Sequence, residues 1–232
     1  MSNYKEIKEQ AFECNRRIPE KGLAIYTFGN VSAFDGNKAV FAIKPSGVPY
    51  SELKVEQMVV VDLEGNIVEG SLQPSADTKT HMVLYQSFPG IQGITHTHST
   101  YAVAWSQALK SIPIFGATHA DHLAQNIPCT EVMSDAMIEE NYEEQTGKQI
   151  VNMFRSISYK EIEMALVACH GPFTWGSTAE KSLYNSAVLE EIAKMALLTT
   201  QIDPKTAPLK QALRDKHYQR KHGKNAYHGQ KY

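Results

Sequence analysis

Gly93-Ile94-Thr95-His96-Thr97-His98-Ser99 is an apolar segment that runs into two histidines one residue apart. Read as a β-strand, it alternates its side chains between two faces, so His96 and His98 share one face with Cα atoms roughly 6.5 Å apart. Two imidazoles so placed can converge on a single metal ion, while Thr95 and Thr97 turn toward the body of the protein. Two polar residues at a strand end look the same without an ion, so ligands from elsewhere in the chain decide the matter.

Downstream the period changes. Ser99 is placed to cap a helix carrying Tyr101, Val103, Ala104 and Trp105. Ile112–Phe115 reads as a short strand, followed by the loop Gly116-Ala117-Thr118-His119-Ala120-Asp121-His122. Ser134-Asp135 opens a helical region interrupted around Gly147. Met164–Cys169 is apolar on both faces, as a central strand should be, and runs into His170-Gly171-Pro172. Ser177-x-x-Glu180 has the form of a capping box. It precedes a long helix whose buried stripe reads as Leu183, Tyr184, Ala187, Val188, Met195 and Leu198. The last helix, from Leu209 to Gly223, carries Arg214, Lys216, Arg220 and Lys221 and gives way to a polar tail.

Upstream, Ile7, Ala11, Cys14 and Ile18 recur at helical spacing from about Tyr4, and Pro19 closes the segment. Leu23–Phe28 and Ala39–Ile43 read as strands ending in Gly29-Asn30 and in Lys44-Pro45-Ser46-Gly47. Loops of such small residues can turn backbone N–H groups toward an anion, and Lys44 adds a positive charge, so phosphate is the natural ligand. The same composition also makes plain connectors. Met58–Leu63 and Ile67–Glu69 form an expected hairpin about Glu64-Gly65-Asn66. Pro74-Ser75-Ala76-Asp77-Thr78 precedes a helix carrying Met82, Val83, Tyr85 and Phe88, with Ser75 or Asp77 as the N-cap. His81 and His222 are expected at the surface.

With 232 residues, 42% of them hydrophobic, the chain can bury a full core as one α/β domain over 1–232. Its 23 Lys+Arg against 25 Asp+Glu offer no global attraction to nucleic acid or to a membrane surface, so an anionic ligand must be caught locally. Cys14, Cys129 and Cys169 are odd in number and widely spaced, which fits neither a disulfide framework nor a thiolate zinc site. The residues after Met1 lack an apolar signal region, and no apolar run approaches about 18 residues, so a soluble cytoplasmic protein is expected. No Gly-x-Gly-x-x-Gly or Walker sequence supports a nucleotide fold.

Three histidines at strand ends, His96, His98 and His170, with Asp77 at a loop–helix junction, make a nitrogen and oxygen set without thiolate. That chemistry suits zinc with one position open to substrate. Taken in order, Gly29-Asn30-Val31-Ser32, Lys44-Pro45-Ser46-Gly47-Val48, Pro74-Ser75-Ala76-Asp77-Thr78, His96-Thr97-His98-Ser99, Thr118-His119-Ala120-Asp121, His170-Gly171-Pro172-Phe173 and Lys216-His217-Tyr218 to Gln230 resemble the class II aldolase family of sugar-phosphate enzymes, on its epimerase side. The resemblance spans nearly the whole chain.

The resemblance implies a mainly antiparallel central sheet flanked by helices on both faces, with the C-terminal helix and tail (about 206–232) contributing to the active site. It implies zinc on His96, His98 and His170 with Asp77 at a fourth metal-associated position. Substrate or phosphate contacts fall on Gly29, Asn30, Lys44, Ser46, Gly47, Ser75, the position of Ala76, and Arg220. Asp121 matches the family's acid/base, and the second such group falls on His228 or Tyr227, since His228 stands where relatives carry tyrosine. Ala76 and Ala117 likewise stand where relatives carry hydroxyls. The implied substrate is a phosphorylated ketopentose. The implied reaction interconverts L-ribulose 5-phosphate and D-xylulose 5-phosphate by retro-aldol cleavage and re-formation of the C3–C4 bond, in a homotetramer with shared active sites. A class II aldolase that releases its aldehyde is the alternative, and a decayed sugar-phosphate-binding protein a more distant one.

Overall fold

The computed structural model describes residues 3–224 and 226. The amphipathic opening segment is helix α1 (Lys5–Glu20), which buries Ile7, Ala11, Cys14 and Ile18 and holds Pro19 in its last turn. The first strand is displaced from its expected place. Leu23–Phe28 is an irregular loop and β1 is Asn30–Asp35. The chain cannot stay extended through Tyr26, whose φ is +53°, and Ile25, Tyr26 and Phe28 are left exposed. β2 (Val40–Ile43), β3 (Val59–Asp62) and β4 (Ile67–Glu69) follow, with the last two forming the expected hairpin.

α2 (Thr78–Ser87) leads to β5 (Gly93–His96), α3 (Thr100–Gln107) and the short α4 (Ala117–Ala120). Ile112–Phe115 is not a strand; Ile112 makes a lone bridge to Ile127. α5 (Asp135–Met153) is broken at Asn141, where the backbone is extended, and not at Gly147. Gly147 instead lets α5 approach α2, because a Cβ there would lie 2.8 Å from Val83 Cβ. β6 (Met164–Val167) and β7 (Gly171–Gly176) form a tight hairpin. α6 (Ala179–Ile202) and α7 (Gln211–His222) follow.

The seven strands form one sheet in the order β4-β3-β2-β1-β5-β7-β6, antiparallel throughout. Alternation along β2 and β3 divides the core between its faces. Val40, Ala42 and Val60 pack with α1, while Phe41, Ile43, Val59 and Val61 pack with Leu84, Phe88 and Trp175. Three expectations need correction here. β6 is an edge strand, not a central one; it is apolar on both faces because the 127–130 segment covers its edge, with Leu166 N–H donating to Pro128 O and Thr130 N–H to Leu166 O. The α6 cap is Thr178, whose hydroxyl accepts from Lys181 N–H, and not Ser177. The buried stripe of α6 runs through Leu183, Leu189, Ile192, Ala193 and Ala196, leaving Tyr184, Met195 and Leu198 exposed.

Candidate metal centre

β1 and β5 are paired so that Asn30 stands opposite His96, and β5 and β7 so that His96 stands opposite Phe173. The ends of β1, β5 and β7 therefore meet at one end of the sheet. β5 ends at His96, so His98 lies just beyond the strand; Thr95, facing the other way, shares a 2.7 Å hydrogen bond with Ser182 on α6. His170 comes from the β6–β7 turn, which Cys169 closes at φ +59°. One ring nitrogen from each of His96, His98 and His170 lies within 4.8 Å of the others, which is the cluster expected for a shared ion.

The donor set fits a divalent metal. The carbonyl of Pro172 can only accept, so its 2.9 Å bond to His96 Nδ1 puts the proton on Nδ1 and leaves Nε2 for a ligand role. Burial, joined by the neighbouring His96 charge, pushes His98 down and pushes His170 down to about 3. Both shifts favour the neutral imidazole, the state a metal requires.

Asp77 is not part of that cluster. It occupies the N-cap position of α2 without a side-chain cap bond, and its Oδ2 accepts instead from Asn30 Nδ2 at 2.7 Å. Burial acts to raise the Asp77 carboxyl, but its interactions with the neighbouring His96, His81 and His170 rings and the Asn30 bond outweigh it and hold the group below its ordinary value. His81, expected at the surface, is fully buried. Its Nδ1 lies 2.7 Å from Ser32 Oγ, which is itself 2.7 Å from Tyr85 Oη, and burial pushes the imidazole down to about 3.

The two small-residue loops are zipped together beside this cluster. Ser75 N–H donates to Lys44 O, Ser46 N–H to Gln73 O, and Asn30 Nδ2 also reaches Ser75 Oγ at 3.0 Å. Ser46, Gly47 and Ala76 are exposed. Lys44 is buried, its ammonium 5.1 Å from the Tyr50 ring centroid and pushed down to about 8 by burial. Tyr50 Oη holds the Phe28 and Gly29 carbonyls at 2.8 Å each. Gly29 has φ +82° and lies against the His96 carbonyl. Phe28 and His98 face each other across 5.8 Å, beside a cavity of about 490 Å³ that also touches Leu23, Ile25 and Val103.

Asp121 follows α4 and pairs with α7. Arg220 Nε and a second guanidinium nitrogen donate to its two carboxylate oxygens at 2.8 and 2.5 Å, and His217 Nδ1 lies 3.1 Å away. Burial works to raise this carboxyl, but the Arg220 and His217 bonds prevail and lower it to about 2. The exposed His222 also reaches the Asp121 carbonyl, at 2.9 Å. Tyr227 and His228 lie outside the described residues. Sequence reading missed Tyr142, whose Oη is 3.2 Å from His170 Nδ1, and Glu190, whose carboxylate caps α3 through Tyr101 and Ala102 N–H at 2.9 Å each in place of Ser99. Neither has a local signature, since both act across long chain separations.

With the fold and the histidine cluster in place, comparison defines the class: the chain belongs to the Class II Aldolase and Adducin N-terminal domain family, whose match covers residues 9–197. Within it, the chain is 46% identical over 226 residues to the L-ribulose-5-phosphate 4-epimerase UlaF of Salmonella paratyphi C (strain RKS4594), covering 97% of this chain and 99% of that one. It is 45% identical, over the same shares, to the L-ribulose-5-phosphate 4-epimerase UlaF of Salmonella typhi. Among solved structures it is similar in fold to an L-fuculose 1-phosphate aldolase (TM-score 0.78, 24% identity, 95% of this chain and 97% of that one). YgbL from Escherichia coli, titled a putative aldolase/epimerase/decarboxylase, is also similar (TM-score 0.73, 22% identity, 93% and 99%). The chain is thus a homologue of the metal-dependent sugar-phosphate epimerases with a histidine triad suited to a divalent ion. Among the described residues, no helix is long and apolar enough to cross a membrane.

Proposed function

We propose that this chain is a zinc-dependent L-ribulose-5-phosphate 4-epimerase, acting as a single domain in the cytoplasm. The observation that carries the reading is its 46% identity, across nearly the full length of both chains, to a protein of that name.

The C4 hydrogen of the ketopentose is not acidified by the C2 carbonyl, so inversion at C4 needs more than proton removal. Breaking the C3–C4 bond gives a two-carbon aldehyde phosphate that can turn and be rejoined from its other face. Zinc held by His96, His98 and His170, with Asp77 beside it, would supply Lewis-acid polarisation of the substrate's oxygens. Lys44, the Ser46 and Ser75 hydroxyls and the chain at Gly29, Asn30, Gly47 and Ala76 hold the phosphate, which keeps the aldehyde fragment from escaping.

Two groups must move the C4 hydroxyl proton on opposite faces. Asp121 is one: the Arg220 and His217 bonds keep it ionised and so able to take a proton, as a weak base while those bonds hold. His228 is the other, with Tyr227 as its alternate. In this reading the protein is a homotetramer in which Asp121 and Arg220, held together by the Asp121 side-chain bonds to α7, serve a neighbouring subunit's histidine triad.

The test supplies pure protein with L-ribulose 5-phosphate. The expected product is D-xylulose 5-phosphate, with activity lost to a chelator and restored by zinc. Accumulating free aldehyde would identify an aldolase instead, and zinc-free, inert protein a decayed binding protein. Full epimerisation by His228→Ala would assign the second role to Tyr227.

A further inference from the structure

Two of the three histidines have their Nδ1 atoms held by outside groups, and the holders differ in kind. His96 is fixed by a backbone carbonyl of β7, part of the sheet itself. His170 sits in a hairpin turn and is held by a side chain from a distant helix, Tyr142 of α5. We propose that Tyr142 is a positioning residue for His170, fixing its tautomer and ring direction so that Nε2 faces the ion; this rests on the reading of the histidine triad as a metal site.

The chemistry follows from the proton count. If Nδ1 accepted the tyrosine hydroxyl, Nε2 would carry the proton and be closed to a metal. A metal-competent His170 therefore donates Nδ1–H to Tyr142 Oη. α5 is built to bring that oxygen there. Its break at Asn141 redirects the chain immediately before Tyr142, and Asn141 Nδ2 stabilises the break by donating to Glu144 Oε2 at 2.9 Å. Each side is pinned: Lys79 Nζ reaches Asn141 Oδ1 at 3.4 Å, Thr80 Oγ1 donates to Glu143 O at 2.6 Å, and Thr146 Oγ1 donates to Tyr142 O at 2.9 Å. Lys79 and Thr80 belong to the first turn of α2, directly after Asp77, so one junction steadies Asp77 and the tyrosine that holds His170.

The experiment compares full-length wild type with Tyr142→Phe. Both are stripped by a chelator, titrated with Zn²⁺ against a chromophoric competitor, and separately loaded with Co²⁺ for visible absorption. The expected outcome is Zn²⁺ affinity lower by about 10–100-fold in Tyr142→Phe and an altered Co²⁺ spectrum. The metal-free melting temperatures should match, which separates positioning from general destabilisation. Equal affinities with identical Co²⁺ spectra overturn the assignment, as does a raised KM at saturating metal as the only change, which would place Tyr142 on the substrate. Wild type that binds neither ion would instead refute the metal reading itself, and this inference with it.

Discussion

Gly29→Ala and Gly47→Ala form a matched pair that tests how tightly the Gly29-Asn30 loop is pressed on the strand that ends at His96. Both glycines are left-handed, with φ of +82° and +70°. An L side chain in that region costs ~1–2 kcal/mol at either position. Only Gly29 adds a collision: its Cβ would lie 2.7 Å from His96 O and 3.2 Å from Thr97 Cα, whereas Gly47 has nothing within 4 Å. Both contacts are backbone, which cannot swing aside, so Gly29→Ala carries a further ~1–3 kcal/mol of overpacking. At about 2–4 °C per kcal/mol for a chain of this size, the melting temperature falls by roughly 4–20 °C for Gly29→Ala and roughly 2–8 °C for Gly47→Ala. Circular dichroism melts of the chelated full-length proteins read the difference without reference to catalysis. If Gly29→Ala melts no lower than Gly47→Ala, the close approach of this loop to His96 is refuted.

In the proposed site Lys44 loses its proton as pH rises through about 8, so the KM for L-ribulose 5-phosphate rises above that pH. Lys44→Arg, which stays charged, removes that limb of the profile, and an unchanged profile would discount Lys44 as a phosphate contact. His81 has its folded pKa depressed to about 3 from an ordinary 6.5, so its contribution to stability is complete above 6.5 and is lost as pH falls toward 3 while the unfolded chain takes up the proton. Denaturant unfolding of metal-free protein across that interval should show a shallower loss for His81→Gln, and an equal slope would contradict the neutral buried imidazole.

What was legible in the sequence was whatever depends on spacing. His96 and His98 are two residues apart, and their rings converge even though the strand ends at His96. Lys44 follows β2 as the apolar run Ala39–Ile43 predicts, and Asp77 was found at the head of α2, whereas Gly29-Asn30, expected to follow a strand, instead leads into β1. Illegible were features set by what lies opposite in space. Ile25, Tyr26 and Phe28 have strand-forming composition yet stay exposed around a turn, because composition does not record the sign of Tyr26 φ. Met164–Cys169 resembled a central strand because burial, not sheet position, determines apolar content, and the 127–130 segment buries the edge of β6. Ser177 and Thr178 are adjacent hydroxyls, and only geometry selects the second as cap. His81 is polar by type but sealed by Ser32 and Tyr85.

The pairing of Asn30 with His96 across β1 and β5 has a consequence for how such a site can change. A one-residue slip along that ladder would turn every side chain of one strand to the opposite face. The span between the first loop and the histidines is therefore a digital quantity, adjustable in whole ladder steps and not by gradual drift. Under the proposed function, a sugar phosphate of another length would have to be accommodated by reshaping the loops at Lys44 and Ser75, leaving the ruler between Asn30 and His96 untouched.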